Sequence, residues 1–179
     1  MAASRLSLIT CLLLTTALWA CAKPQTRTPV GSSYSIEQEA SRQVEFVLEQ
    51  TLSQQSRLWN VAYPLLLDGA ELCGDKVQPR YGFWAWTKWN FDSPYRAAAM
   101  RLYGLDNQLR VVHIVPGSPA AEAGLYAGDL ILGVGAHQIP TGERANDRMT
   151  AVLETVTKLD FATEFHVSRN QTDMTIAIT

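Results

Sequence analysis

Residues 111–134 read VVHIVPGSPAAEAGLYAGDLILGV, and the order of parts within them decides the fold. Two apolar runs, the first beginning at Leu109, have the composition of strands. Between them Pro116-Gly117 turns the chain. Ser118 is placed to cap a short helix, with Pro119 at its first position, where a missing N–H costs nothing. Ala120, Ala121 and Ala123 are small enough for that helix to lie close on a sheet. Gly124 then ends it in a conformation that other residues dislike. Asp129, at the Gly-Asp corner, can accept from backbone N–H groups. These are scaffold residues. Gly135-Ala136 follows the second run. A type I′ turn there would set Ala136 at positive φ, at about 1 kcal/mol or more. A type II′ turn with Gly135 first removes that cost and is expected.

Outward from this centre, HQI (137–139) makes a short strand. ERANDRMTAVLETVTKL (143–159) makes a helix whose stripe is Met149, Val152, Leu153, Val156 and Leu159. TEFHVSR and DMTIAI alternate as strands and are joined through NQT in a hairpin. On the N-terminal side, RYGFWAWTKW (80–89) is aromatic-rich and bounded by Pro and Gly, which favours a strand. DSPYRAAAMRLYGL reads as a helix with Asp92 or Ser93 as cap, Pro94 in the first turn and Gly104 as stop.

The pattern strand, Pro-Gly-Ser-Pro-Ala, Ala-Gly-Leu, Gly-Asp, Ile-Leu strand resembles the centre of a bacterial PDZ domain, in the permuted strand order of HtrA-type proteases. The resemblance extends from Arg80 to Thr179. It implies an α+β fold: a small, partly open β-barrel or sheet with two main helices, preceded here by an N-terminal helical segment. It also implies a peptide-binding function in which an extended segment adds a strand to the sheet edge. The C-terminal carboxylate of that peptide would sit in the loop matching Arg80, Tyr81, Gly82 and Phe83. Gly82 permits a compact loop whose successive N–H groups form an anion nest, and Arg80 would add charge. Phe83 and Ala85 share a face by strand alternation and would line the pocket. Met149, Val152 and Val156 would form the opposite wall, so an apolar C-terminal residue is the expected ligand. Helix stripes also serve simply as core, and such domains also act as rigid docking elements; both readings stay open.

Ahead of this domain, Ser35 can cap a long helix with Glu37 and Glu39 in its first turn. Val44, Val47, Leu48, Thr51, Leu52, Gln55, Leu58, Trp59 and Ala62 follow helical spacing, and Pro64 should end or kink the helix near Tyr63. LLLDGAELCG adds a short helical or irregular piece ending at Gly74. Residues 35–78 are thus a helical appendage with too little mass to fold alone, and residues 79–179 the PDZ-like domain. Trp84, Trp86 and Trp89 fall on the face away from the groove. They form either a landing surface for the appendage, together with Trp59, or a membrane or partner patch.

The first twenty residues read as an export signal, with Arg5 as the positive region and residues 6–18 as an apolar run too short for a permanent span. LWAC (18–21) resembles the lipobox of bacterial lipoproteins, which makes Cys21 a lipidation site; an ordinary cut near Ala20 or Ala22 is the alternative. Ala22 favours an outer-membrane lipoprotein facing the periplasm of the bacterial cell envelope. Residues 21–34 are a Pro, Thr, Ser and Gly-rich tether. Cys73 would then be an odd thiol, either buried and inert or paired beyond this sequence.

The 179 residues carry a net charge of −2 and no Lys/Arg run, so no nucleic-acid footprint is present. His113, His137 and His166 stand in no H-E-x-x-H or C-x-x-C pattern, and no G-x-S-x-G occurs. Catalytic machinery, metal and cofactor are all expected to be absent. RLWNVAYPLLLDGAELCG together with the PDZ-like pattern nevertheless resembles the front part of bacterial envelope zinc metalloproteases of the gluzincin H-E-x-x-H type. That resemblance implies a protease domain as a further partner and a cysteine there to pair with Cys73. A stand-alone lipid-anchored adaptor and a structural envelope lipoprotein are the alternatives.

Overall fold

A computed structural model describes residues 33–73, 81–156 and 162–179. Residues 37–179 form one compact unit. Strands β1 (Phe83–Trp86), β2 (Arg110–Ile114), β3 (Leu130–Val134), β5 (Thr163–Arg169) and β6 (Thr172–Ile178) lie in the order β1-β2-β3-β5-β6, with β4 (His137–Gln138) paired to the end of β3. Every pairing is antiparallel. The sheet is open, with β1 and β6 at its two ends.

Strand alternation sorts the side chains onto two faces. On one face Ala85, Val111, Ile131, Val134, Phe165, Val167, Ile176 and Ile178 form a buried core with Met149 and Val152 of α5 (Ala145–Val156) and Ala120 of α4 (Pro119–Glu122). A second core covers the β1–β2 end of the other face. It joins Leu48 of α1 (Ser33–Asp68) to Ala98 and Ala99 of α3 (Ser93–Tyr103) and to Leu105, with Val44, Leu52, Trp86 and Val112 packed around them. Helices therefore cover both faces of an antiparallel sheet, an α+β architecture.

The corner at residues 116–124 forms for the reasons its composition dictates. Ser118 Oγ accepts the Ala121 N–H at 3.3 Å, Pro119 is the first residue of α4, and Gly124 sits at φ 80°. Asp129 is 2% exposed and accepts the Tyr126 N–H at 2.9 Å. It also receives a two-pronged ion pair from Arg169, Nε to Oδ1 and Nη2 to Oδ2 both at 2.7 Å, while Arg169 donates again to the Gly124 carbonyl. The Asp129 hydrogen bond holds Arg169 even further above its high ordinary pKa. Gly104 ends α3 at φ 62°, its N–H returning to the Met100 carbonyl. Val134 pairs with His137, and in the turn between them Gly135 has φ 54° while Ala136 is not at positive φ. That is the type II′ pattern.

Several boundaries differ from expectation. β1 stops at Trp86, because Thr87 and Asn90 cap one another in a reciprocal box that starts a 3-10 turn, Lys88–Asn90. Trp89 therefore leaves the strand face; its Nε1 donates to Asn107 and its ring lies under Arg96. α1 begins two residues before Ser35, which takes Glu37 and Glu39 out of its first turn. It also runs through Pro64 to Asp68. Its expected stripe is split: Leu48 is buried and Val44, Leu52 and Trp59 half-buried, whereas Val47 and Leu58 face solvent. α2 (Ala70–Cys73) follows. Gly74 and Leu159 lie outside the described residues.

Candidate functional site

β1 is an end strand, and its backbone polarity can be read from its one neighbour. The Val115 N–H donates to the Gly82 carbonyl at 2.7 Å, so that carbonyl faces β2. The next pair, Phe83 and Ile114, is then the non-bonded kind, so Phe83 turns its N–H and C=O outward. The register slip between β1 and β2 places an extra residue, Val112, on β2. The alternation of β1 is unbroken, and Ala85 presents its backbone on the same open side as Phe83.

The bend before β1 is built by its carbonyls. The Tyr81 carbonyl accepts the Ala120 N–H at 3.0 Å, and the Gly82 carbonyl accepts both Val115 N–H and Ser118 Oγ–H, the latter at 3.3 Å. In a trans peptide the N–H lies opposite the C=O. Tyr81 C=O points into α4, so Gly82 N–H points away from it; Gly82 C=O points at β2, so Phe83 N–H points away as well. The Phe83 N–H thus turns to the open edge, and the Gly82 N–H beside it is directed away from α4; successive N–H groups in such a bend can receive an anionic oxygen. Gly82 at φ 79° makes this geometry accessible.

The walls of the bend are aromatic. Tyr81 and Phe83 each meet Phe165 edge-on, at 5.3 and 5.4 Å between centroids. Tyr81 hydroxyl and Thr163 Oγ1 are 2.6 Å apart, which pins the bend to the start of β5. Burial raises the Tyr81 hydroxyl above its ordinary pKa, and the Thr163 hydrogen bond partly offsets this.

The sequence-predicted residues are distributed unevenly around this edge. Tyr81, Gly82, Phe83 and Ala85 are together on it. Ala85, Met149 and Val152 are closed into the first core, while Val156 and Leu153 are half-buried at its margin. Arg80 and Cys21 lie outside the described residues, as do the side chain of Cys73 and its pairing. Thr163, Phe165 and Ser118 join the site unannounced. They are long-range partners, and nothing in local spacing signals that residue 163 will meet residue 81.

Tyr63 also escaped the sequence reading, although it continues the Trp59 stripe by one turn. Behind β1, α1 docks residue by residue. Trp59 meets Trp84 edge-on at 5.7 Å, Asn60 Oδ1 bonds His113 Nε2 at 3.0 Å, and Tyr63 abuts Gly82. Trp84 stacks on Trp86 at 5.8 Å and lies 5.1 Å from His113. The landing surface expected for Trp59 is therefore Trp84 and its stacked neighbour. Burial lowers the His113 pKa. His166 bonds the Gly135 carbonyl and Thr175, and His137 is exposed. Among the described residues no group of three or more His, Cys, Asp or Glu side chains could hold a metal ion, and no helix is long and apolar enough to cross a membrane.

No protein-family model and no curated protein matches the chain. Among solved structures it is similar to the HtrA3 PDZ domain bound to a phage-derived ligand, FGRWV, at 19% identity and TM-score 0.33, over 42% of this chain and 64% of that one. It is also similar to an HtrA-type protease with a decapeptide, at 19% identity and TM-score 0.38, over 63% of this chain. The match spans 31% of that protease.

Proposed function

We propose that this chain binds peptides by adding them as a strand to the free edge of β1, with the peptide's C-terminal carboxylate held at the Gly82 bend. The observation that carries the reading is the Phe83 N–H turned to the open edge, with the Gly82 N–H beside it directed away from α4. Phe83 and Ala85 supply the next backbone donors and acceptors, and the Tyr81–Phe83–Phe165 cluster favours an apolar last residue. Charge-assisted hydrogen bonds contribute about 1.5–3 kcal/mol. Amidating the C-terminus of a bound peptide should therefore weaken it at least tenfold in fluorescence anisotropy. Equal affinity for the free and amidated forms would remove carboxylate capture.

The reading places the module in the bacterial envelope, on the outer membrane facing the periplasm, through lipid on Cys21. Support comes from Arg5, the apolar run 6–18 and LWAC. Cys21→Ser should abolish labelling by a radioactive fatty acid and release the protein to the soluble fraction. The chain is read as non-catalytic. A second reading, a regulatory front part of an envelope zinc metalloprotease, is favoured by one observation. Leu58, Val61 and Leu65, in the segment that carries that resemblance, are 65%, 66% and 67% exposed, an apolar stripe of the kind another domain covers. An H-E-x-x-H helix encoded downstream or next door supports it; its absence from both places rejects it.

A further inference from the structure

We propose that Tyr63 is the positioning residue of the bend at Gly82, so that the N-terminal helix, and not the sheet alone, sets how the β1 edge captures a carboxylate. The proposal rests on the strand-addition reading for its consequence, and on the packing of α1 for its cause.

α1 has 36 residues, of which Leu48 and Tyr63 are the buried ones. Leu48 sits in the second core. Tyr63 sits elsewhere, against the backbone of the bend. A Cβ placed on Gly82 would lie 3.3 Å from Tyr63 Cζ and 2.6 Å from Ser118 Oγ. A ring from α1 and the cap of α4 therefore both close on the space beside the glycine. The contacts of Trp59 with Trp84 and of Asn60 with His113 hold this turn of α1 against β1 and β2.

This matters because glycine is the residue least able to hold one conformation alone. The Gly82 and Phe83 N–H groups keep their directions only while the Tyr81–Gly82 and Gly82–Phe83 peptide planes keep their orientation. Those planes are held from one side by Ala120, Val115 and Ser118. On the open side no backbone hydrogen bond from the described residues holds them. Tyr63 fills the space into which the bend would otherwise relax, and so prepays the ordering that binding would demand. The contact is through the ring carbon Cζ.

Two measurements test this on the full chain. The first needs no ligand. Amide hydrogen exchange at Val115 and Ala120, the donors to the Gly82 and Tyr81 carbonyls, reports the bend. Tyr63→Ala should speed both by tenfold or more while β5 amides stay protected, and Tyr63→Phe should match the wild type. If Tyr63→Ala also exposes the β5 amides, Tyr63→Leu, which keeps a buried apolar side chain, replaces it with the same expectation. Unchanged protection at Val115 and Ala120 in a folded variant overturns the proposal.

The second measurement is the ratio of affinities for a free and an amidated peptide ending in an apolar residue. Tyr63→Ala should bring that ratio close to one, and Tyr63→Phe should restore it. A folded Tyr63→Ala protein that keeps the wild-type ratio also overturns the proposal, and leaves the strand-addition reading intact. A wild type that shows no discrimination defeats carboxylate capture at the bend instead, and the exchange data still decide whether Tyr63 holds the bend.

Discussion

Gly82 works through what it lacks. Its φ of 79° is unfavourable for any L side chain, and a Cβ there would overlap Ser118. Left-handed backbone costs roughly 1–2 kcal/mol and overpacking a further 1–3 kcal/mol. Gly82→Ala should therefore lower stability in urea by about 3 kcal/mol, against no change for an alanine at an exposed helical site. Asn170 and Gln171 present the opposite case. Both sit at positive φ, 50° and 65°, between the paired residues Arg169 and Thr172, so the β5–β6 turn is of type I′. Asparagine tolerates that backbone and glutamine does so less well. Gln171→Gly should raise the urea midpoint by the equivalent of about 1 kcal/mol; a fall would mean that the glutamine side chain makes a compensating contact. The need for special backbone at residue 82 was legible in the sequence as a glycine between aromatics. The turn at 170–171 was legible only as a hairpin, since neither residue announces its φ.

At the scale of elements, local chemistry predicted what local chemistry controls. Ser118, Pro119, Gly124 and Gly104 cap and stop their helices as read, because capping needs only neighbours in sequence. Pro64 misled. Proline removes one i→i−4 bond and crowds the turn before it, and here tertiary docking of Trp59, Asn60 and Tyr63 supports that turn. The Asn60–His113 bond ties α1 to β2, and the burial of His113 gives stability a pH dependence. Burial lowers the His113 pKa in the folded protein, so between that lowered value and about 6.5 the unfolded chain binds more protons. Stability should rise with pH across this window and fall on acidification below about 6.5. Urea midpoints at pH 5 and pH 7.5 should differ in that direction, and the difference should shrink in His113→Asn. An unchanged difference in that variant would assign the effect to another group.

At the scale of the whole molecule, one sheet carries two cores and, among the described residues, keeps one edge of β1 unpaired. The first core, with α5, was readable as the stripe Met149, Val152, Val156. Periodicity does not distinguish a groove wall from a core, and the packing puts Met149 and Val152 inside. The second core joins α1 and α3 across the face of β1 and β2, and no local pattern reveals which helix meets which strand. Its consequence is functional. The open edge of β1 is braced from behind by α1, some twenty residues earlier in the chain.

The most direct test follows the amides of β1 themselves. Phe83 and Ala85 turn their N–H groups to the open edge, so saturating an isotopically labelled protein with a peptide that ends in a free apolar residue should slow their exchange at least tenfold. Slowing confined to other surfaces, with Phe83 and Ala85 exchanging as in the free protein, would contradict strand addition at this edge.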